Sequence, residues 1–139
     1  MRIDVRTFGA DRLVAELHDV PEGAHRNVVK ATQVTAHHIR DTARERSSGI
    51  AHAPLYPYTI SYDVNDRGVG DGVDAEIGPD RDKVIGGGPK RTPGHLDNIF
   101  EYGTPNSAPI PHVNPALDKW APDFERGLRI AAEQALERL

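Results

Sequence analysis

Hydrophobic and polar residues alternate at the start of this chain. Residues 2–7 place arginine and aspartate on one side and, on the other, Ile3, Val5 and Thr7. This period of two predicts a half-buried strand, or an arm that pairs with another element, within residues 1–10.

A helical period then replaces the alternation. Asp11 can cap a short helix that ends before Pro21, and its apolar stripe would be Leu13, Val14 and Leu17. A much longer helix is predicted over residues 22–46, because small apolar and hydroxyl residues recur there at helical spacing. Its stripe comprises Ala24, Val28, Ala31, Thr35, Ile39 and Thr42.

The chain ends in a second long helical pattern, over residues 115–139. Its stripe is expected to form part of the core and comprises Leu117, Trp120, Phe124, Leu128, Ala131, Ala135 and Leu139. Pro122 falls inside this helix and removes one backbone hydrogen bond, so we expect a kink near Asp118 to Ala121.

Between the two long helices the period returns to two. Residues 58–64 and 72–78 predict an antiparallel hairpin, because turn-forming residues separate their apolar positions. Residues 96–102 predict a third strand. The charged, glycine-rich residues 79–97 form an unusually long loop for a compact domain. This favours a flexible arm that orders against a neighbour, and the alternative is a merely disordered loop.

These elements predict a single α+β domain over residues 1–139. A small, mainly antiparallel sheet of residues 58–64, 72–78 and 96–102 would carry the long helix and the C-terminal helix on one face. The N-terminal strand of this copy, or of a neighbour, could complete that sheet. Glycine and proline together make up 24 residues, which predicts a thin core and favours a protein that completes its burial against neighbouring subunits.

The segment from Asn98 to Leu117 has an unusual order of elements: a strand, a glycine turn, a proline-rich stretch and a capped helix. A strand ends at Gly103, which is expected to be needed for its backbone angle. Prolines follow at positions 105, 109, 111 and 115, and residues 105–113 are expected to be extended and irregular. Asn114 can cap a helix whose first position is Pro115.

The sequences Glu101-Tyr102-Gly103-Thr104 and Pro115-Ala116-Leu117 resemble the C-terminal signature of small tailed-phage neck proteins. These are the head–tail connector or tail-completion proteins of phages with long non-contractile tails. The order of elements also matches over residues 11–139. Two features depart from the family pattern. His112 stands where a phenylalanine usually follows the middle proline, and the family's Thr-Gly-Arg-Leu segment before the first strand is missing.

The resemblance implies a structural protein of the phage neck, part of the ring that joins the DNA-filled head to the tail around the DNA exit channel. Its partners would be copies of itself in a sixfold ring, and neighbouring connector, stopper, tail-terminator or tail-tube proteins. DNA would be passing cargo only. The location would be the virion neck, after assembly in the host cytoplasm.

Two groups of residues are candidates for this role. The signature and shape residues are Phe100, Glu101, Tyr102, Gly103, Thr104, Pro109, Pro111, Pro115 and Trp120. The candidate subunit contacts lie in the N-terminal strand and the glycine-rich loop, and comprise Ile3, Val5, Gly86, Gly87, Gly88, Lys90 and Arg91.

The charge of the chain bears on its relation to DNA. The formal net charge is −4 and the pI is near 5.9, without the basic stripe of a protein that grips phosphates. A channel through which DNA slides does not need such a stripe. There is no cysteine, which excludes disulfides and thiol chemistry, and no apolar run has the length of a signal peptide or a membrane span.

No catalytic, cofactor or metal site is predicted, and the chain is not expected to be an enzyme. Seven histidines are present, but His37 and His38 are adjacent on a helix and cannot face one ion. Residues 63–68 begin like a calcium loop, although Arg67 occupies the fifth position. On strand alternation Glu101 would face solvent or a subunit interface.

A second class of function stays open from the sequence. The chain could be a small soluble protein-binding module, of a regulatory or toxin–antitoxin type, that uses the glycine-rich arm of residues 79–97 to hold a partner.

Overall fold

Four strands form one antiparallel sheet in the order β1-β2-β4-β3. They are β1 (Arg2–Phe8), β2 (Arg12–His18), β3 (Ile60–Asp66) and β4 (Val73–Pro79). The computed structural model describes residues 2–8, 12–18, 24–49, 55–68, 72–80, 101–103, 105 and 109–137. Two long helices, α1 (His25–Arg46) and α2 (Val113–Glu137), pack against this sheet, so the predicted α+β fold is confirmed.

The N-terminal strand pairs within its own chain. β1 and β2 form an antiparallel hairpin in which Ile3 lies opposite Leu17 and Val5 opposite Ala15. β2 continues the sheet by pairing with β4, from Arg12 opposite Glu76 to Ala15 opposite Val73.

The short helix predicted between Asp11 and Pro21 is therefore wrong, because this segment forms β2. Its apolar residues fit both periods, since Leu13, Ala15 and Leu17 also occupy every second position, while Arg12, Glu16 and His18 fall on the other side of the strand pattern. Pairing with β4 satisfies the backbone of this segment as a strand, and this tertiary contact favours the strand period over the helical period.

The predicted hairpin of residues 58–64 and 72–78 is confirmed, with both strands ending slightly later. β3 and β4 pair from Ile60 opposite Pro79 to Asp66 opposite Val73. The Asp66 carboxylate accepts a hydrogen bond from the amide of Gly68 at 2.9 Å, where the backbone has a φ of +97°. The amide of Arg67 also donates a 3.2 Å hydrogen bond to the carbonyl of Gly72, just before β4.

The long helix is also confirmed, as α1. Its inner face packs on β3 and β4 and comprises Val28, Thr32, Thr35, Ala36, Ile39 and Ala43. The guanidinium of Arg44 donates two hydrogen bonds, of 3.0 and 2.7 Å, to the carbonyl of Ile60. These bonds fix the C-terminal end of α1 to the first residue of β3.

The C-terminal helix α2 packs on α1 and reaches β1. Phe124 and Leu128 are buried as expected, and the indole of Trp120 donates a 2.8 Å hydrogen bond to the hydroxyl of Thr42. The same ring stacks on His38, with 4.6 Å between the ring centroids. Trp120 is thus a half-buried residue that joins the two helices.

The third strand predicted over residues 96–102 is wrong where the structure describes it. Glu101 and Tyr102 have helical backbone conformation, and β2 occupies the sheet position next to β4. Residues 96–100 lie outside the described residues, as does all but the first two residues of the predicted arm at 79–97.

α2 is helical on both sides of Pro122, and the expected kink stays a prediction. Pro122 is exposed and lacks the amide hydrogen that an alanine would donate to the carbonyl of Asp118. We expect Pro122→Ala to raise the free energy of unfolding by about 1–2 kcal/mol in urea titrations, after the greater freedom of the unfolded chain is subtracted.

The matched control is Pro115→Ala. Pro115 lies in the first turn of α2, where an amide has no acceptor within the helix, so the free energy of unfolding should change by less than about 0.5 kcal/mol. An equal gain from both substitutions would contradict this explanation.

Candidate functional site

The carboxylate of Glu101 caps the N-terminus of α2. Oε2 accepts hydrogen bonds from the backbone amides of His112 at 2.9 Å and Val113 at 3.1 Å. Oε1 accepts a third from the amide of Asn114 at 2.7 Å. A helix leaves its first amides without acceptors and has a positive dipole end there, so a carboxylate at this position is doubly favourable.

This cap corrects two expectations from the sequence. Glu101 is buried, with 4% of its surface exposed, and does not face solvent as strand alternation indicated. Asn114 is not the cap, because it lies inside α2 and its amide is one of the three donors to Glu101. The first error came from treating residues 96–102 as a strand. The second came from starting the helix at Pro115, whereas it begins at Val113.

His112 extends the cap into a buried polar chain. Its Nδ1 lies 2.9 Å from Oε2 of Glu101 and 3.0 Å from the carbonyl oxygen of Ile110. Both of these oxygens only accept, so Nδ1 is protonated. In the neutral ring Nε2 is then an acceptor, and the hydroxyl of Tyr56 donates to it over 2.9 Å.

Tyr56 is positioned by a short 3-10 helix, Tyr56–Thr59, that precedes β3. The hydroxyl of Thr59 donates a 2.7 Å hydrogen bond to the carbonyl of Tyr56, and the amide of Asp80, just after β4, donates to the carbonyl of Thr59 at 2.8 Å. The rings of Tyr56 and His112 meet edge to face. The side chains of Glu101, His112 and Tyr56 are here called the Glu101 cluster. They connect the hairpin of β3 and β4 to the start of α2.

The electrostatics of the cluster favour an ionised Glu101. Burial alone raises the pKa of this carboxyl. The hydrogen bonds from the His112 side chain and from the amides of His112, Asn114 and Val113 outweigh burial and lower the pKa to about 2. The carboxylate is thus charged at any ordinary pH and provides a fixed negative charge at the helix end.

The cluster is suited to positioning and not to chemistry. A carboxylate, an imidazole and a phenol in sequence resemble an acid–base relay, but Tyr56 and His112 are completely buried and Glu101 nearly so. A substrate could not reach them. Within the described ranges no three His, Cys, Asp or Glu side chains come together as metal ligands, and no helix there is long and apolar enough to cross a membrane.

The other signature residues lie around this cluster at the surface. Gly103 has a φ of +76°, which favours glycine and agrees with the expected need for its backbone angle. Tyr102 is 61% exposed, and Pro109, Ile110 and Pro111 are exposed as well. The structure therefore separates this segment into a buried acid and four exposed apolar residues, Tyr102, Pro109, Ile110 and Pro111, which are here called the signature surface.

The candidate subunit contacts are not brought together with this site. Ile3 and Val5 lie on β1, opposite β2 residues. Thr104 and the glycine-rich residues Gly86, Gly87, Gly88, Lys90 and Arg91 lie outside the described residues.

Sequence reasoning missed Tyr56 and His112 as partners of Glu101. They are 56 positions apart, so no local spacing connects them. One signal was available: a histidine where phenylalanine is usual suggests that the ring has acquired polar partners.

Comparison with known proteins does not place the chain in a group. No protein-family model, no curated protein and no solved structure matches it.

The low pKa of Glu101 makes a pH prediction. An acid whose folded-state pKa is depressed stabilises the fold above its ordinary pKa of 4.5, and that contribution disappears as the pH falls toward 2. We expect Glu101→Gln to lower the free energy of unfolding at pH 7 by about 2–3 kcal/mol. The difference in free energy of unfolding between this variant and the unsubstituted chain should then become smaller as the pH falls from 4.5 toward 2.

Glu133→Gln is the control for this measurement, because Glu133 is exposed on α2 and its replacement should change stability by less than about 0.5 kcal/mol. A gap between Glu101→Gln and the unsubstituted chain that stays constant down to pH 2.5 or so would contradict the assigned charge.

The Tyr56–His112 hydrogen bond is testable by a double-mutant cycle. Tyr56→Phe and His112→Phe each remove one partner, and the second introduces the phenylalanine found at this place in the neck-protein pattern. We expect a coupling of about 1 kcal/mol between the two substitutions in urea unfolding. Strictly additive effects would show that this hydrogen bond does not stabilise the fold.

Proposed function

We propose that this chain is a structural protein of the phage neck that forms part of the head-to-tail connector ring. The observation that supports the proposal is that adjacent residues of Glu101-Tyr102-Gly103 have different environments. Glu101 is bound to three amides at the start of α2, while its neighbour Tyr102 is directed to the surface. Glu101 thus fixes this segment to α2, while Tyr102 remains accessible for contact with another subunit.

The signature surface has the character of a contact with another subunit. Aromatic and aliphatic side chains are enriched in the buried centre of protein interfaces, and prolines restrict the loop before it binds, which reduces the ordering cost. Glu101 adds to this restriction by tying residue 101 to residues 112–114 across the loop. A small preorganised surface of this kind suits an assembly protein.

The energetics of a ring fit such a surface. A contact of this size is weak in isolation, but a closed ring repeats it in every subunit, and a ring that docks on another ring engages all copies at once. The chain would therefore join head to tail through many small contacts around the DNA exit channel. Its net charge of −4 is consistent with DNA that passes through without being held.

The proposal is tested in a phage that carries this gene. A null allele should give full heads beside separate tails in electron micrographs of the lysate, because the neck is incomplete. Supplying the unsubstituted chain in trans should restore joined virions. Normal virions from the null allele would overturn the neck role and favour the protein-binding module.

The signature surface is tested by complementation of the same null allele. Tyr102→Ala and Ile110→Ser change exposed side chains and should leave the thermal unfolding curve nearly unchanged, yet fail to restore joining when combined. Glu133→Gln on the exposed side of α2 should complement fully. Full complementation by the combined Tyr102→Ala and Ile110→Ser chain would show that this surface is not a neck contact.

A further inference from the structure

A groove runs between the outer faces of α1 and α2. It has a volume of about 460 Å³ and is lined by residues 27–38 of α1 and 120–134 of α2. Its floor is narrow because two small residues meet there: a Cβ atom on Gly127 would lie 3.8 Å from the Cβ of Ala31. This groove is on a different part of the molecule from the Glu101 cluster.

The groove has exposed apolar side chains along both edges. Val34 on α1 and Ile130 on α2 are 49% and 47% exposed. Trp120 closes one end, where its ring is stacked on His38. Large aliphatic side chains on both sides of one groove are a pattern typical of protein contacts, since scattered single residues would not share a surface.

Charges of opposite sign mark the two ends of the groove. The helices are antiparallel, because Thr42 of α1 meets Trp120 of α2 while Ala31 meets Gly127. Asp123 lines the end near Trp120, and Lys30 lines the other end. Asp123 is paired with Arg126 at 3.0 Å, but both side chains are largely exposed, and a surface pair of this kind contributes little.

We propose that a second copy of this chain occupies the groove, related to the first by a twofold axis through the middle of the groove. Such an axis exchanges the two ends, so that Lys30 of each copy faces Asp123 of the other. Val34 and Ile130 of each copy then cover the apolar groove of the other. The surface is self-complementary in charge and in hydrophobicity, which is the requirement for a twofold contact.

The size of the groove sets the strength of this dimer. The lining segments of α1 and α2 are about 18 and 22 Å long at the helical rise. Two helices of that length present less than the roughly 800 Å² per partner of a standard interface. We therefore expect a reversible dimer with a dissociation constant in the micromolar range or weaker.

The twofold contact is independent of the proposed neck function. It closes at two copies, whereas a ring needs a head-to-tail contact between different surfaces. The dimer is the form expected of the isolated protein in solution, whichever function the chain has.

The first measurement is sedimentation velocity of the full chain from about 1 µM to about 1 mM. The mass should rise from one copy toward two with concentration. Val34→Asp and Ile130→Asp should each weaken the dimer by about tenfold or more, because every substitution occurs twice in the contact. Leu55→Asp, which also replaces an exposed large aliphatic residue outside the groove, is the control and should leave dimerisation unchanged.

The sharper test uses charge reversal in a mixture. Lys30→Glu alone and Asp123→Lys alone each place like charges opposite one another twice, so both chains should be weaker dimers. Mixed in equal amounts they should form a heterodimer, because both contacts then join opposite charges. Asp118→Lys, exposed on the same helix but not part of the groove, should neither weaken dimerisation nor associate preferentially with Lys30→Glu.

Three results would overturn the proposal. The first is a single-copy mass at every concentration, which would leave the groove to a different partner such as a helix of another protein. The second is a dimer or larger assembly that Val34→Asp and Ile130→Asp do not weaken. The third is a mixture of the two charge variants that associates no better than either alone. Circular dichroism and thermal unfolding of each variant establish that the fold is intact.

Discussion

The fold depends on how the first turn of α2 satisfies its amides. A proline-containing segment precedes this helix, and the acceptor for three adjacent amides lies 11–13 positions earlier in the chain. Glu101 supplies both carboxylate oxygens, and the charge interacts with the positive end of the helix. The cost of burying a carboxylate is offset because its two oxygens accept three backbone hydrogen bonds and lie next to the His112 ring. Removing one donor therefore weakens the whole group and not a single bond.

The same group connects the two halves of the chain. His112 links the cap to Tyr56, and Tyr56 begins the short helix before β3. Further along the same helix, Trp120 joins α2 to Thr42 of α1. The C-terminal helix is thus fixed by polar contacts near its start, while its apolar face fills the space above the sheet. Hydrophobic burial supplies the driving force, and the polar contacts select one position for the helix among many of similar burial.

Sequence periodicity predicted the elements whose apolar stripes repeat many times. α1, α2 and the hairpin of β3 and β4 belong to this group, because several turns or a strand pair agree with each other. The helix predicted in place of β2 was wrong because Leu13 and Leu17 fit both the helical and the strand period in a short segment. The prediction that Glu101 faces solvent or a subunit interface was wrong for a different reason. Glu101 accepts hydrogen bonds from amides 11–13 positions later, and no local sequence pattern indicates a contact of that separation. The polar chain of the candidate site was accordingly beyond periodicity, and strand alternation placed Glu101 and Tyr102 on the wrong sides. The backbone angle of Gly103 followed from local chemistry.

The strand order has a consequence for biosynthesis. β1 and β2 leave the ribosome first and can pair at once, yet the second neighbour of β2 is β4, roughly sixty residues later in the chain. During that interval β2 has an open edge, and an open edge is a template for any strand that comes near. On a polysome, where nascent copies of one message lie side by side, the nearest such strand belongs to another copy. Folding fidelity therefore depends on how quickly α1 and the second hairpin follow, because only β4 of the same chain closes the sheet correctly.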